Sequence, residues 1–161
     1  MILNRQERIA VDLPGVRGFV RRLKRQLKLG GRTFNVCFVD DREMERLNAT
    51  FRGKRRSTDV LSFPWPDVRR ESVGAGREWR GFLGEVVISA ETARHNARGE
   101  GHATAKEIRW LVLHGVLHLL GYDHETDQGE MTALELALRE RLGIAGGGDR
   151  GRRPRRRKRH S

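Results

Sequence analysis

Three histidines, in the run His114-Gly115-Val116-Leu117-His118-Leu119-Leu120-Gly121-Tyr122-Asp123-His124, are the residues of this chain best placed to do chemistry. Residues four apart on an α-helix lie on one face a turn apart, so His114 and His118 can aim their rings at one point. His124 joins them only if the chain turns sharply, and Gly121 can take the left-handed conformation that ends a helix. Three neutral imidazoles around one zinc ion per chain leave its charge uncompensated and one tetrahedral position open. Structural zinc sites are closed and richer in cysteine, so this donor set points to a catalytic centre. Imidazole ligands also suit nickel, copper or iron.

The spacing is similar to the zinc-protease pattern H-E-x-x-H-x-x-G-x-x-H, with one difference. Gly115 stands where those proteases carry their glutamate base, so the metal scaffold is present without the peptidase's proton acceptor. Asp123 either orients a ligand histidine, by accepting its second ring proton, or stabilises the turn. Glu125, one residue past the last ligand, is a candidate proton acceptor. The plainer alternative is three unrelated histidines on a buried helix and its loop; their common spacing and the glycine at the bend argue against it.

Positioning such a tripod takes a rigid helix. Thr104-Ala105-Lys106-Glu107 reads as a capping box opening one that runs through Leu120. Apolar residues on nearly every side make it the expected central, buried helix. Before it, a short strand is expected around Ile2-Leu3, and a basic amphipathic helix from Pro14 to the Gly30-Gly31 stop. Thr33 to Val39 alternates as a strand, and Asp40 with Glu43 caps a short helix. Val60 to Phe63 is a strand stopped by Pro64, and Pro66 to Arg80 reads as a surface loop. Gly84 to Ser89 is a strand leading into a helix capped by Ser89 and closed by Gly99. Asp127-Gln128-Gly129-Glu130 caps a last helix, with Leu134, Leu138 and Leu142 on one stripe, ending at Gly143. Together these predict an α+β fold: a single domain over residues 1–145 with a small, mixed, mostly parallel four-stranded sheet packed with five or six helices.

Charge narrows the partner. Of a net +12, the segment Asp149 to Ser161, with seven arginines, one lysine and one aspartate, carries +7, and the rest of the chain +5. Both parts favour a polyanion, nucleic acid first of all. Residues 146–161 are Gly- and Arg-rich with no apolar residue to bury, so this tail is expected to be disordered and to contact nucleic acid. The single cysteine, Cys37, cannot form an intramolecular bridge and fits a reducing cytoplasm. Charged residues interrupt the N-terminal segment, so no signal peptide is expected, and no apolar run approaches a membrane span.

The run Asn48-Ala49-Thr50-Phe51-Arg52-Gly53-Lys54-Arg55-Arg56-Ser57-Thr58-Asp59-Val60-Leu61-Ser62-Phe63-Pro64 is similar to the pattern N-x-x-Y-R-x-K-D-x-P-T-D-V-L-S-F-P of the YbeY-type endoribonucleases. Leu83-Gly84-Glu85-Val86-Val87-Ile88-Ser89 resembles that family's L-G-D-I-x-I-S strand, and the histidine run resembles its H-G-x-L-H-L-x-G-Y-D-H. Arg55, Ser57 and Glu85 depart from the family's aspartate, proline and aspartate. The resemblance covers Met1 to Ile144 and leaves the tail outside.

It implies a zinc-dependent, single-strand-selective endoribonuclease that matures the 3′ end of small-subunit ribosomal RNA and takes part in ribosome quality control. It implies a fold resembling the zinc-protease core, metal ligands at His114, His118 and His124, and a required arginine at Arg52. Arginine is charged throughout the physiological range and donates two parallel hydrogen bonds, so Arg52 suits charge growing on phosphoryl oxygens. Lys54, Arg55 and Arg56 extend a basic loop toward the substrate, and Trp65, ahead of Trp79 and Tyr122, is the aromatic best placed to stack on an unpaired base. Two other readings remain: a zinc peptidase-like hydrolase, and a non-catalytic RNA-binding protein with a structural metal.

Overall fold

The computed structural model describes residues 1–54, 57–65, 81–123 and 128–145. Four strands and five helices lie along these segments. They are β1 (Ile2–Asn4), α1 (Leu13–Gln26), β2 (Thr33–Val39), α2 (Asp41–Arg52), β3 (Val60–Pro64), β4 (Phe82–Ser89), α3 (Ala90–Glu100), α4 (Thr104–Leu119) and α5 (Glu130–Arg141). The strands form one sheet in the order β1-β2-β4-β3. β1 and β4 run parallel to β2, whereas β3 pairs antiparallel with β4. The sheet is therefore mixed and mostly parallel, as expected.

The period of two in the strands decides what packs where. Phe34, Val36 and Phe38 of β2, with Val86 and Ile88 of β4, face a core built with α1, α4 and α5. Cys37, Val39 and Val87 point through the other side onto Met44 of α2 and Leu61 of β3. α4 carries the largest buried share: Ile108, Trp110, Leu111, Val112, Leu113, Val116 and Leu117 are all closed off.

Helix starts follow local chemistry where a side chain is free to cap. Asp40 accepts from the Glu43 N–H at 2.8 Å and Ser89 from the Thr92 N–H at 3.1 Å, as expected. The box expected at Thr104 does not form. Ala103 is the cap residue without a side-chain bond, and Glu107 turns inward, 0% exposed, to meet His102 at 2.7 Å. Two boundaries and one buried stripe also differ from expectation. α1 ends at Gln26, ahead of the glycine pair, because Lys28 adopts φ 53° and sends Leu29 into the core. α3 runs past Gly99 to Glu100, with Gly101 as its left-handed cap. The buried stripe of α5 is Met131, Glu135 and Leu138, continued by Leu142, with Leu134 only half-buried.

Candidate metal centre and its surroundings

His114 and His118 share one face of α4, and their Nε2 atoms lie 3.1 Å apart. Two nitrogens bound to one tetrahedral zinc at about 2.05 Å are separated by about 3.3 Å, so this pair has nearly the separation that a shared ion requires. Gly121 takes φ 101°. Its N–H reaches the His118 carbonyl at 3.0 Å and the Tyr122 N–H reaches the Leu117 carbonyl at 3.0 Å. That double closure is the Schellman ending, and it satisfies the last carbonyls of α4 while turning the chain sharply behind the histidine pair. His124 itself lies outside the described residues, as do Glu125, Arg55, Arg56, Trp79 and the tail from 146.

Gly115 has a packing reason. A Cβ there would stand 2.5 Å from Val86 Cγ1 and 3.2 Å from Ser62 Oγ, far inside van der Waals contact. The Ser62 hydroxyl donates to the Gly115 carbonyl at 3.0 Å. α4 thus lies directly on β3 and β4 at the histidines, and no side chain fits between. The glutamate that zinc peptidases carry at this place is sterically barred here.

Arg52 ends α2 and is exposed; its Nη2 donates to the Ser62 carbonyl at 3.1 Å. One serine therefore ties the arginine, through its carbonyl, and the helix beside His114, through its hydroxyl. Lys54 is exposed in the following loop. Ser57, at the departure from proline, donates to Asp41 Oδ1 at 3.1 Å. The same oxygen takes the Thr92 hydroxyl at 2.6 Å and the Ser89 hydroxyl. One carboxylate thereby pins the Arg52 loop to the start of α3.

Trp65 is half-buried, edge-on to Phe82 with ring centroids 5.2 Å apart. Phe51, next to Arg52 and 61% exposed, offers more open ring surface and meets Phe63 edge-on at 5.3 Å. Phe51 is not among the aromatics expected from sequence to stack. Its signal was its place on the Met44 stripe of α2, seven residues on, where the helix outruns the sheet that should cover it.

Glu135 was also missed. Its Oε1 and Oε2 both stand 3.3 Å from His114 Nδ1. The available clue is an acidic residue set among the apolar positions of α5. A second cluster lies at the other end of α4: Glu100, His102 and Glu107 have donor atoms within 4.8 Å of one another, close enough for one cation to bridge. Within it the His102–Glu107 contact is already a short hydrogen bond, and the two side chains are 6% and 0% exposed.

The chain matches the family described as Endoribonuclease YbeY over residues 1–143. It is 44% identical over 134 residues to the endoribonuclease YbeY of Solibacter usitatus, covering 83% of this chain and 82% of that one. To the endoribonuclease YbeY of Nautilia profundicola it is 43% identical over 116 residues, 72% of this chain and 76% of the relative. A solution structure from Thermotoga maritima superposes with a TM-score of 0.60 at 29% identity, covering 88% and 89% of the two chains. Matched over nearly its whole length and at least 43% identical to the two relatives, the chain belongs to the YbeY endoribonuclease family.

Proposed function

We propose that this protein is a zinc-dependent endoribonuclease that cuts single-stranded RNA in the cytoplasm. On this reading it matures the 3′ end of small-subunit ribosomal RNA and serves ribosome quality control. The observation that carries the metal is the 3.1 Å approach of the His114 and His118 Nε2 atoms on a helix that then turns back at Gly121. His114, His118 and His124 would hold one ion. When bound, that ion supplies positive charge to a phosphoryl oxygen and a water whose pKa falls to about 7.

Arg52 grips the phosphate. One of its N–H groups is held by the Ser62 carbonyl, which fixes the guanidinium against the edge strand β3, and its exposed remainder reaches the substrate. Lys54, with Arg55 and Arg56, follows the backbone of the RNA, and Phe51 and Trp65 offer ring surface to unpaired bases. The basic tail adds sequence-independent affinity. No described helix is long and apolar enough to cross a membrane. Family membership supports RNA as substrate, and the sheet contact at Gly115 disfavours the peptidase reading.

The test is cleavage of an unstructured RNA by the purified chain, before and after chelation and zinc replenishment, beside His114→Ala and Arg52→Ala. Cleavage is expected to need zinc and to fall to background in His114→Ala. Loss of Arg52 is expected to cost about 10²–10³-fold in turnover, the scale of one lost charge-stabilising donor. His114→Ala that cuts at the wild-type rate would overturn the proposal. RNA left intact while an unstructured polypeptide is cut would favour the peptidase instead.

A further inference from the structure

The buried face of α5 holds one residue that packing alone does not explain. Met131, Leu138 and Leu142 share that face, and Glu135 stands between them with its side chain 8% exposed. A carboxylate in such a place is costly unless it is paired and hydrogen-bonded. Both requirements are met, and both lead to the metal helix. His114 Nδ1 stands 3.3 Å from each carboxylate oxygen. On the opposite side Arg139, one turn along α5, brings Nη2 to 3.5 Å from Oε2. The guanidinium carbon of Arg139 is in turn 4.1 Å from the centre of the Trp110 ring, and Trp110 is locked by its indole N–H on the Ile144 carbonyl at 2.8 Å.

We propose that Glu135 is the positioning residue for His114, held in register by Arg139 on Trp110. An ionised carboxylate only accepts hydrogen bonds, so the ring nitrogen facing it must be the one that carries the proton. His114 is thereby fixed as the Nδ1–H tautomer, its ring cannot flip, and the Nε2 lone pair is aimed at the point shared with His118. Arg139, with Nη2 3.5 Å from Oε2, holds the carboxylate in place against the ring. Trp110 gives the guanidinium a flat surface on which to rest. This inference rests on the metal reading given above and assigns residues that the reading does not contain.

The tautomer and the metal affinity are measured separately on the full chain. In the zinc-free protein, long-range proton–nitrogen correlation spectra should show His114 protonated at Nδ1. In Glu135→Gln, which keeps the shape of the side chain, and in Glu135→Ala, that signature should move toward the Nε2–H form that a free imidazole favours. Zinc affinity, from competition with a chromophoric chelator, should fall about 10–100-fold in Glu135→Ala and recover in part in Glu135→Asp. Arg139→Met should give a smaller loss in the same direction. Unchanged tautomer and affinity in both the Gln and Ala variants would overturn the proposal, even if the wild-type chain binds zinc. A wild-type chain that shows the Nδ1–H signature yet takes up no zinc would instead overturn the metal reading, and the purpose of the pair with it.

Discussion

The molecule uses the same two side chains twice, at opposite ends of one stretch of α4, to opposite purposes. His102 and Glu107 meet at 2.7 Å with 6% and 0% of their side chains exposed. His114 and Glu135 meet at 3.3 Å with 21% and 8% exposed. In the first pair the imidazole nitrogen is spent on the carboxylate in the interior, so the pair closes the turn between α3 and α4. In the second the carboxylate takes only the inner nitrogen and the outer one faces His118. Trp110 stands between them, its ring 4.6 Å from His102 on one side and 4.1 Å from the Arg139 guanidinium on the other. A histidine beside a glutamate is thus not by itself a functional sign. On the proposed metal reading, what separates a ligand from a structural group is which nitrogen the carboxylate takes and whether the other one can be reached.

The sharpest way to break this contrast is to delete the imidazole from each pair. His102→Ala removes the imidazole held 2.7 Å from the fully buried Glu107 and should cost about 1–3 kcal/mol of stability, read from chemical denaturation. Zinc uptake per folded molecule should be unaffected. His118→Ala should do the reverse, losing zinc and RNA cleavage while denaturing within about 0.5 kcal/mol of the metal-free wild type, as a half-exposed substitution does. If His102→Ala lost zinc at full stability, the assignment of roles would be wrong. Gly115→Ala is next in size. Its methyl would press on Val86 at the 2.5 Å position, and such overpacking costs about 1–3 kcal/mol. Because α4 must lift from β3 and β4 to make room, zinc affinity should fall along with thermal stability. A variant that is destabilised but binds zinc normally would show that the sheet contact does not hold the ligand pair.

Much of this was legible because it follows from short-range rules. The i, i+4 histidines, the glycine turn behind them, the caps at Asp40 and Ser89 and the alternation in β2 all depend on residues within a few positions of one another. The misreadings arose where a tertiary partner outbid a local one. Glu107 sits where a capping-box glutamate would reach back to its own helix start, yet His102 offers it a buried partner and Ala103 offers the helix no side chain. Counting apolar residues on α5 chose Leu134 for the stripe and skipped Glu135, because a charge is assigned to solvent until its partner is known. That partner, His114, lies 21 residues away in sequence. Phe51 shows the converse: an aromatic on an apolar stripe reads as core, and only the end of the sheet leaves it open.

A smaller effect asks whether charge, rather than geometry, dominates RNA affinity. Deleting residues 146–161 removes a segment that carries seven arginines and one lysine. For single-stranded RNA each lost phosphate contact should lower the slope of log affinity against log salt by about 0.7. Zinc uptake and the denaturation midpoint are expected to stay the same. An unaltered salt slope would remove the tail from the RNA interface.

The finest test reads the two pairs in the intact protein, with no substitution at all. Diethyl pyrocarbonate acylates an imidazole nitrogen that is unprotonated and accessible, so its rate reports the property on which the contrast turns. His114 and His118 should react early, and added zinc should protect both. His102, whose Nε2 is 2.7 Å from Glu107 and whose side chain is 6% exposed, should react only as fast as the chain opens. Cys37 supplies an internal measure of that opening. It is 4% exposed, and burial, helped by the nearby Glu85 charge, pushes its thiol above the usual range, so alkylation of the native chain should be slow as well. Peptide mapping over time should then find His102 and Cys37 modified together, after the two metal-site histidines. If His102 were instead acylated alongside His114, the buried pair would be open to solvent, and the division between a structural and a ligand histidine would fail.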